Sequence, residues 1–236
     1  MELVQPKIDG AQIEVLRKNT LAALTGGTGR ANPETLAALE RALDQVVASA
    51  DPVGGFRYSK VMDVTPAEVA TPFGPIESAK FSLMARLCDG EARVVFTLST
   101  VGEALDELLA RKAPLLDRFV MDAVASELAE IVAGLVEETW MAAAKADGRQ
   151  ASMRMSPGYC DWQIRGQSVL FRALDAGALG VRLTDSFLMI PSKSVSSAAV
   201  TAGAVPLKIQ CLACNRKDCP FRRASSSEKW LEQLAQ

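Results

Sequence analysis

The chain has 236 residues, a formal net charge of −2, 49% hydrophobic residues and no histidine. It is long enough for one generous domain, or a domain with an appendage, around a real core. The near-neutral balance lacks the basic footprint of a nucleic-acid-binding protein. No apolar run reaches the length of a membrane span, and the start, "MELVQPKIDG", has no signal-peptide pattern; a cytoplasmic protein without nucleic-acid or membrane partners is expected.

Without imidazole there is no Ser-His or Cys-His nucleophile and no histidine metal ligand. Chemistry must rest on carboxylates, thiols, phenols, cations, a bound cofactor or another protein's groups. Five cysteines are present, three of them crowded into "CLACNRKDC". An odd count without an export signal argues for a metal or redox role rather than a disulfide framework.

Residues 1–32 read as a mixed segment. Its "LTGGTGRANP" stretch resembles a phosphate loop but lacks the Gly-Lys-Ser/Thr ending and a preceding strand, so a connector is expected. "NPETLAALERALDQVVASA" reads as a helix capped by Asn32, with Pro33 in its first turn and Leu36, Leu39, Leu43 and Val46 as its apolar stripe. "RYSKVMDVT" reads as a strand and "GPIESAKFSLMARLCDG" as a helix ending near Gly90. "ARVVFTLSTVG" is rich in β-branched and aromatic residues and reads as a strand.

Two helices separated at Pro114 follow. The second is the longest element, with Ala125, Leu128, Ala129, Val132, Leu135 and Val136 as its buried face. The small residues there predict close packing. After "RMSPGYCDW", the stretch "QSVLFRALDAGALGVRLT" reads as a helix closed by glycine and a strand start. "DSFLMIPSKSVSSAAVTAGAVPLKIQC" reads as strands interrupted at Pro191 and Gly203, and "SSSEKWLEQLAQ" as a terminal helix. Helices and strands without regular βαβ alternation indicate an α+β fold rather than a doubly wound sheet.

The order of these pieces carries a resemblance. Arg154, Gly158 and Tyr159 form an Arg-x-x-x-Gly-Tyr signature. A helix follows, then Leu183, Thr184, Met189, Pro191, Ser194, Val195 and Ser196 in the pattern Leu-Thr-x-x-x-x-Met-x-Pro-x-x-Ser-Val-Ser. This resembles the reactivation domain of cobalamin-dependent methionine synthase, in a stand-alone form with a C-terminal cysteine cluster. The resemblance implies a twisted, mainly antiparallel sheet flanked by helices. It divides the chain into an N-terminal helical segment (1–55), an activation-like domain (56–205) and a cysteine segment (206–236).

The resemblance also implies reductive reactivation of a corrinoid methyltransferase. The chain would be an S-adenosylmethionine-dependent methyltransferase component of a methionine synthase system, serving a cobalamin-binding partner module with a reductase or flavodoxin as electron source. Glu130, Arg154, Ser156, Gly158 and Tyr159 would bind S-adenosylmethionine. An arginine fork matches the carboxylate, Glu130 the positive groups, and the Pro157-Gly158 turn lets backbone approach a flat ring. Lys193, Ser194 and Ser196 would meet the corrinoid partner. The nucleophile is the partner's cobalt, so no protein base is required and no residue is expected to be catalytic in its own right.

The C-x2-C-x4-C-P segment places three thiolates on one short loop. Cys-x2-Cys hooks serve zinc and iron–sulfur sites alike, and proline after the last cysteine occurs in bacterial ferredoxins. The expected ligands are Cys211, Cys214 and Cys219, with Cys160 as the best fourth and Cys88 as runner-up. They would hold a [4Fe–4S] cluster, with zinc or unligated thiols as the alternatives. Two rival readings remain: an iron–sulfur electron-transfer protein, and a non-enzymatic adaptor for a corrinoid protein.

Overall fold

The computed structural model describes residues 1–214, 216 and 224–234. Its centre is an open, five-stranded, fully antiparallel sheet, built from β1 (Glu2–Val4), β2 (Val53–Lys60), β6 (Arg93–Thr100), β10 (Ser194–Ala202) and β7 (Gln150–Ala151), in that order across the sheet. A three-stranded meander of β3 (Asp63–Val64), β4 (Glu68–Thr71) and β5 (Gly74–Glu77), and a β8 (Arg182–Leu183)–β9 (Met189–Ile190) hairpin, stand beside it. The expected α+β class, with a mainly antiparallel sheet flanked by helices, holds.

The sheet has two covered faces because β6 alternates between two cores. Val94, Phe96 and Leu98 pack with α3 (Ala79–Arg86), α6 (Gln167–Ala173) and the meander. Val95 lies in a smaller cluster with Phe56, Ala199, Val136 and Trp140. The last two belong to α5 (Leu115–Ala146), 32 residues long. Gly54 of β2 lets this helix approach closely, since a Cβ there would collide with Val136. The N-terminal half of α5 leaves the sheet and packs with α1 (Gly10–Leu24), α2 (Pro33–Ser49) and α4 (Glu103–Ala110) in a helical core.

Several elements differ from the sequence reading for local reasons. The mixed N-terminal segment contains α1, started by an Asp9/Gln12 capping box, so a helix precedes the glycine-rich connector. Asn32 caps α2 as expected, accepting the Thr35 N–H at 2.8 Å. However, Leu36 is exposed, and the buried stripe is Ala38, Leu39, Ala42, Leu43 and Val46; the two alanines allow close contact with neighbouring helices. The helix expected over 74–90 is a strand followed by a shorter helix. Gly74 has φ 119°, which suits a turn, β5 pairs with β4, and the Ser78 hydroxyl then caps α3 by accepting the Phe81 N–H at 3.1 Å. The single helix expected after Gln167 is α6 plus a short 3-10 turn, Ala176–Leu179, closed by left-handed Gly180.

Candidate functional site

The "RMSPGYCDW" stretch is a loop fastened at both ends. On its N-terminal side, Met155 exchanges two backbone hydrogen bonds with Ala198 of β10, at 2.7 and 2.9 Å. On its C-terminal side, Trp162 is buried against Phe81, with ring centroids 5.9 Å apart. Asp161 accepts the Ser78 hydroxyl at 2.9 Å and the Lys80 N–H at 3.1 Å. The loop closes on itself through Gly158 N–H to Trp162 O at 2.8 Å, Tyr159 N–H to Ser156 O at 3.2 Å and Trp162 N–H to Tyr159 O at 3.1 Å. Gly158 has φ 91°, a conformation that glycine adopts without strain. Pro157 is buried, Ser156 is half-buried, and Gly158, Tyr159 and Cys160 form an exposed tip.

Arg154 enters this loop against α5. Its Nη2 donates to Glu130 Oε2 at 2.6 Å and its Nη1 to Glu137 Oε2 at 2.5 Å. The Arg154 backbone N–H also donates to Glu137 Oε1, at 3.3 Å. Arg154 and Glu137 are mostly buried, at 13% and 17% side-chain exposure, while Glu130 is 51% exposed. The expected neighbours Glu130 and Arg154 are therefore together. Glu137 was not anticipated. The signal was its spacing: seven residues from Glu130 is two helical turns, on the same face. Burial and the nearby Glu130 also push the neighbouring Glu127 carboxyl upward.

The residues expected to meet a partner stand farther along α5. Lys193 Nζ donates to Asp122 Oδ1 at 2.7 Å and to Ser126 Oγ at 2.8 Å. Asp122, Ser126 and Glu130 are spaced i, i+4, i+8, so Lys193 and Arg154 lie along one side of the helix, their helical partners about 12 Å apart. Ser194 is half-buried and donates to Pro191 O at 2.7 Å. Ser196 departs from the expectation: it is 3% exposed and donates to Gln167 Oε1 at 3.1 Å. Its position on β10, beside the central strand β6, turns it to the core rather than to a partner.

The cysteines divide into two environments. The Cys88 thiol donates to Met84 O at 3.1 Å, and burial pushes it up to about 11, offset in part by Arg149. Cys211 and Cys214 are buried at the 3-10 turn Gln210–Ala213. Cys160, with φ 55°, is exposed at the loop tip. Its thiol is pushed up to about 11, first by partial loss of solvent and then by Cys214, Asp161 and Cys211; Lys80 opposes the shift. Cys219, the remaining expected ligand, lies outside the described residues. Among the described residues no three acidic or thiol groups already stand as a metal-ligating set, and no helix is long and apolar enough to cross a membrane.

Comparison with known proteins agrees with the motif-based resemblance. Residues 100–205 match the family model described as "Vitamin B12 dependent methionine synthase, activation domain". That span holds Glu130, Glu137 and the whole Arg154–Trp162 loop, together with Lys193 and Ser194. The fold is similar to that in "Crystal Structure of the MetH Reactivation Domain bound to AdoHcy", with a TM-score of 0.56 and 18% identity, over 84% of this chain and 77% of that one. No curated protein matches the chain.

Proposed function

We propose that the protein binds S-adenosylmethionine on the Arg154–Tyr159 loop and presents its methyl group to cobalamin carried by a partner, reactivating a corrinoid methyltransferase. The carrying observation is the Arg154 guanidinium, mostly buried and held between two carboxylates of α5 beside the left-handed Gly158 turn. Within the family-matched span this arrangement brings together a guanidinium with further N–H donors for a carboxylate, a half-exposed carboxylate that suits an ammonium, and exposed backbone where a ring can lie. The structural relative's title names bound AdoHcy, the product such a transfer leaves.

The partner's corrinoid supplies the nucleophile: one electron reduces cob(II)alamin, the cobalt takes the sulfonium methyl, and S-adenosylhomocysteine leaves with the carbon–sulfur bonding pair. This chain's part is placement and charge complementarity. Arg154 and Glu130 orient the amino-acid end, Ser156 and Gly158 line the turn, and the exposed Tyr159 ring covers the ligand. Lys193, held on α5 by Asp122 and Ser126, and the neighbouring Ser194 face the corrinoid protein in this reading. A split methionine synthase module is the proposed partner, with a reductase or flavodoxin as electron donor.

Calorimetry with S-adenosylmethionine tests this reading. Wild type is expected to bind. Arg154→Lys keeps the charge but loses the fork and should bind about 10- to 100-fold more weakly, the loss of one charged hydrogen-bond pair. Equal binding by the variant, or no binding by wild type, overturns the reading.

A second reading concerns the thiols, and we infer it from the Cys-x2-Cys spacing of Cys211 and Cys214 and their buried position at the 3-10 turn Gln210–Ala213. A [4Fe–4S] cluster or zinc held by Cys160, Cys211, Cys214 and Cys219 suits this soft donor set. Lys80, almost buried beside Cys160, would offset the negative charge of such a site. An iron cluster here would deliver electrons near the cobalt. Iron and zinc content after anaerobic purification decides between the metals, and unchanged metal in Cys160→Ser removes Cys160 from the set.

A further inference from the structure

A cleft of about 250 Å³ lies between β5 and the segment carrying α6. Arg165, Val169 and Arg172 line it; their i, i+4, i+7 spacing puts them on one helical face. Arg172 Nε donates to Phe73 O at 2.7 Å, and its guanidinium lies against Gly74, where a Cβ would stand 2.6 Å from Nη2. The N–H donors on its Nη1 and Nη2 have no acceptor among the described residues. Arg165 uses only Nη2, on Glu77 Oε2 at 2.9 Å, in an exposed pair that holds it weakly. Trp162 also lines the cleft. It is 2% exposed, and its buried indole N–H has no hydrogen-bond partner among the described residues. Nε1 rests against the lining residue Gly166, where a Cβ would stand 2.1 Å away, so the ring lies there only because that residue has no side chain. A buried donor without an acceptor is costly. Phe187, half-buried, completes the cleft. It holds φ 62°, which is unfavourable for a residue with a Cβ, and its N–H is tied to Thr184 O at 2.9 Å.

We propose that this cleft is a second ligand site, one that takes a small phosphate monoester carrying a flat ring. The terminal nitrogens of Arg172 form a fork matched to an oxyanion, anchored through Nε so that the fork is already placed. Arg165 adds its charge without leaving Glu77, because its other nitrogens still carry donors. The Trp162 N–H donates to a remaining phosphate oxygen and is thereby satisfied. The ring packs on Phe187 and Val169. A phosphate monoester is mostly a dianion at pH 7, and two guanidinia against one carboxylate leave a positive excess to meet it. Pockets for drug-sized ligands run to about 300–1,000 Å³, so this cleft suits something smaller. It is separate from the nucleoside loop, since Glu130, Arg154 and Tyr159 do not line it. The two share one wall: Trp162, whose carbonyl accepts the Gly158 N–H at 2.8 Å.

Calorimetry on the full chain with phenyl phosphate, inorganic phosphate and benzyl alcohol tests the site. Phenyl phosphate should bind saturably. Inorganic phosphate lacks the ring and benzyl alcohol lacks the charge, so each should bind about tenfold more weakly. No saturable binding of phenyl phosphate up to about 10 mM overturns the proposal. Arg172→Gln should weaken both phosphates about tenfold. Phe187→Gly accepts the same backbone conformation and should remove the preference for phenyl phosphate over inorganic phosphate. Both side chains are at the surface of the cleft, and a thermal transition confirms that each variant is folded. Wild-type affinities in either folded variant overturn the assignment. In ¹⁵N-labelled protein the Trp162 indole N–H resonance should move downfield with phenyl phosphate; an unmoved resonance at saturation places the ligand elsewhere and overturns it. Saturating S-adenosylhomocysteine should leave phenyl phosphate bound, whereas competition between them would put both in the nucleoside loop and overturn the separate site.

Discussion

The backbone N–H of Gly158 donates to the carbonyl oxygen of Trp162 at 2.8 Å, so an exposed turn is closed onto a residue sunk in the core. The tip of the loop, Gly158 to Cys160, is therefore presented to solvent on a rigid base. Gly158 has φ 91°, and a Cβ would stand 3.4 Å from Ile164 Cδ1, so the conformation rather than crowding decides. Gly158→Ala should cost about 1–2 kcal/mol of stability by urea denaturation and weaken nucleoside binding. Unchanged stability would show that the turn is not held in this form.

Asp161 is the loop's other anchor. It accepts from the Ser78 hydroxyl and the Lys80 N–H, and its carboxylate lies 3.9 Å from Lys80 Nζ. Asp161→Ala leaves a buried hydroxyl and a nearly buried ammonium without this acceptor. A loss of about 2 kcal/mol is expected. The smaller change Asp161→Asn retains one acceptor oxygen and should lose less. Equal losses would mean that the negative charge, rather than the hydrogen bonds, is what Ser78 and Lys80 require.

Gly54 sets the distance between the sheet and α5. A methyl group there would occupy the space of a Val136 methyl, and both are in the interior. Gly54→Ala should destabilise by about 1–3 kcal/mol through overpacking. Gly54→Ala combined with Val136→Ala should recover part of that loss, which separates packing from strand propensity. Additive losses in the double variant would point away from the steric contact.

The thiols make a pH prediction. Cys160 and Cys88 are each pushed up to about 11, above an ordinary thiol. In metal-free protein at pH 7.5 both should be protonated, and labelling of the exposed Cys160 by iodoacetamide should be slow, then rise about tenfold per pH unit towards 11 because only the thiolate reacts. The folded state holds these protons more tightly than the unfolded chain. That contribution to stability is complete below the ordinary thiol value and is lost as pH rises through about 11. Labelling that reaches its plateau near pH 8 would place Cys160 in a different environment.

Much of the architecture could be read locally. The Asn32 cap, the break at Pro114, the β-branched run of β6 and the loop after Arg154 all come from residues acting on near neighbours. The misreadings are also local competitions that contacts decided. "GPIE" could belong to a helix until β4 offered it a partner, and Leu36 looked like core until Ala38 and Ala42 turned α2 by one face. The connection of Glu130 with Arg154 was legible because a family pattern placed them together.

Other relationships had no local trace. Glu137 became the firmer partner of Arg154 only when α5 was laid across the sheet. Ser196 left the expected partner surface because its place on β10 turns its hydroxyl to Gln167 at the start of α6.

By itself, then, the amino-acid order determined the long helices α2 and α5, the strand β6, the bend at Gly158 and the absence of imidazole chemistry. Caps, periodicity and side-chain type act over a few residues, within reach of the chain's own covalent geometry. The tertiary structure alone decided which carboxylate is buried, which serine faces inward and which thiols are buried. Those depend on strand order and helix placement, where burial of the whole core outweighs any single residue's preference.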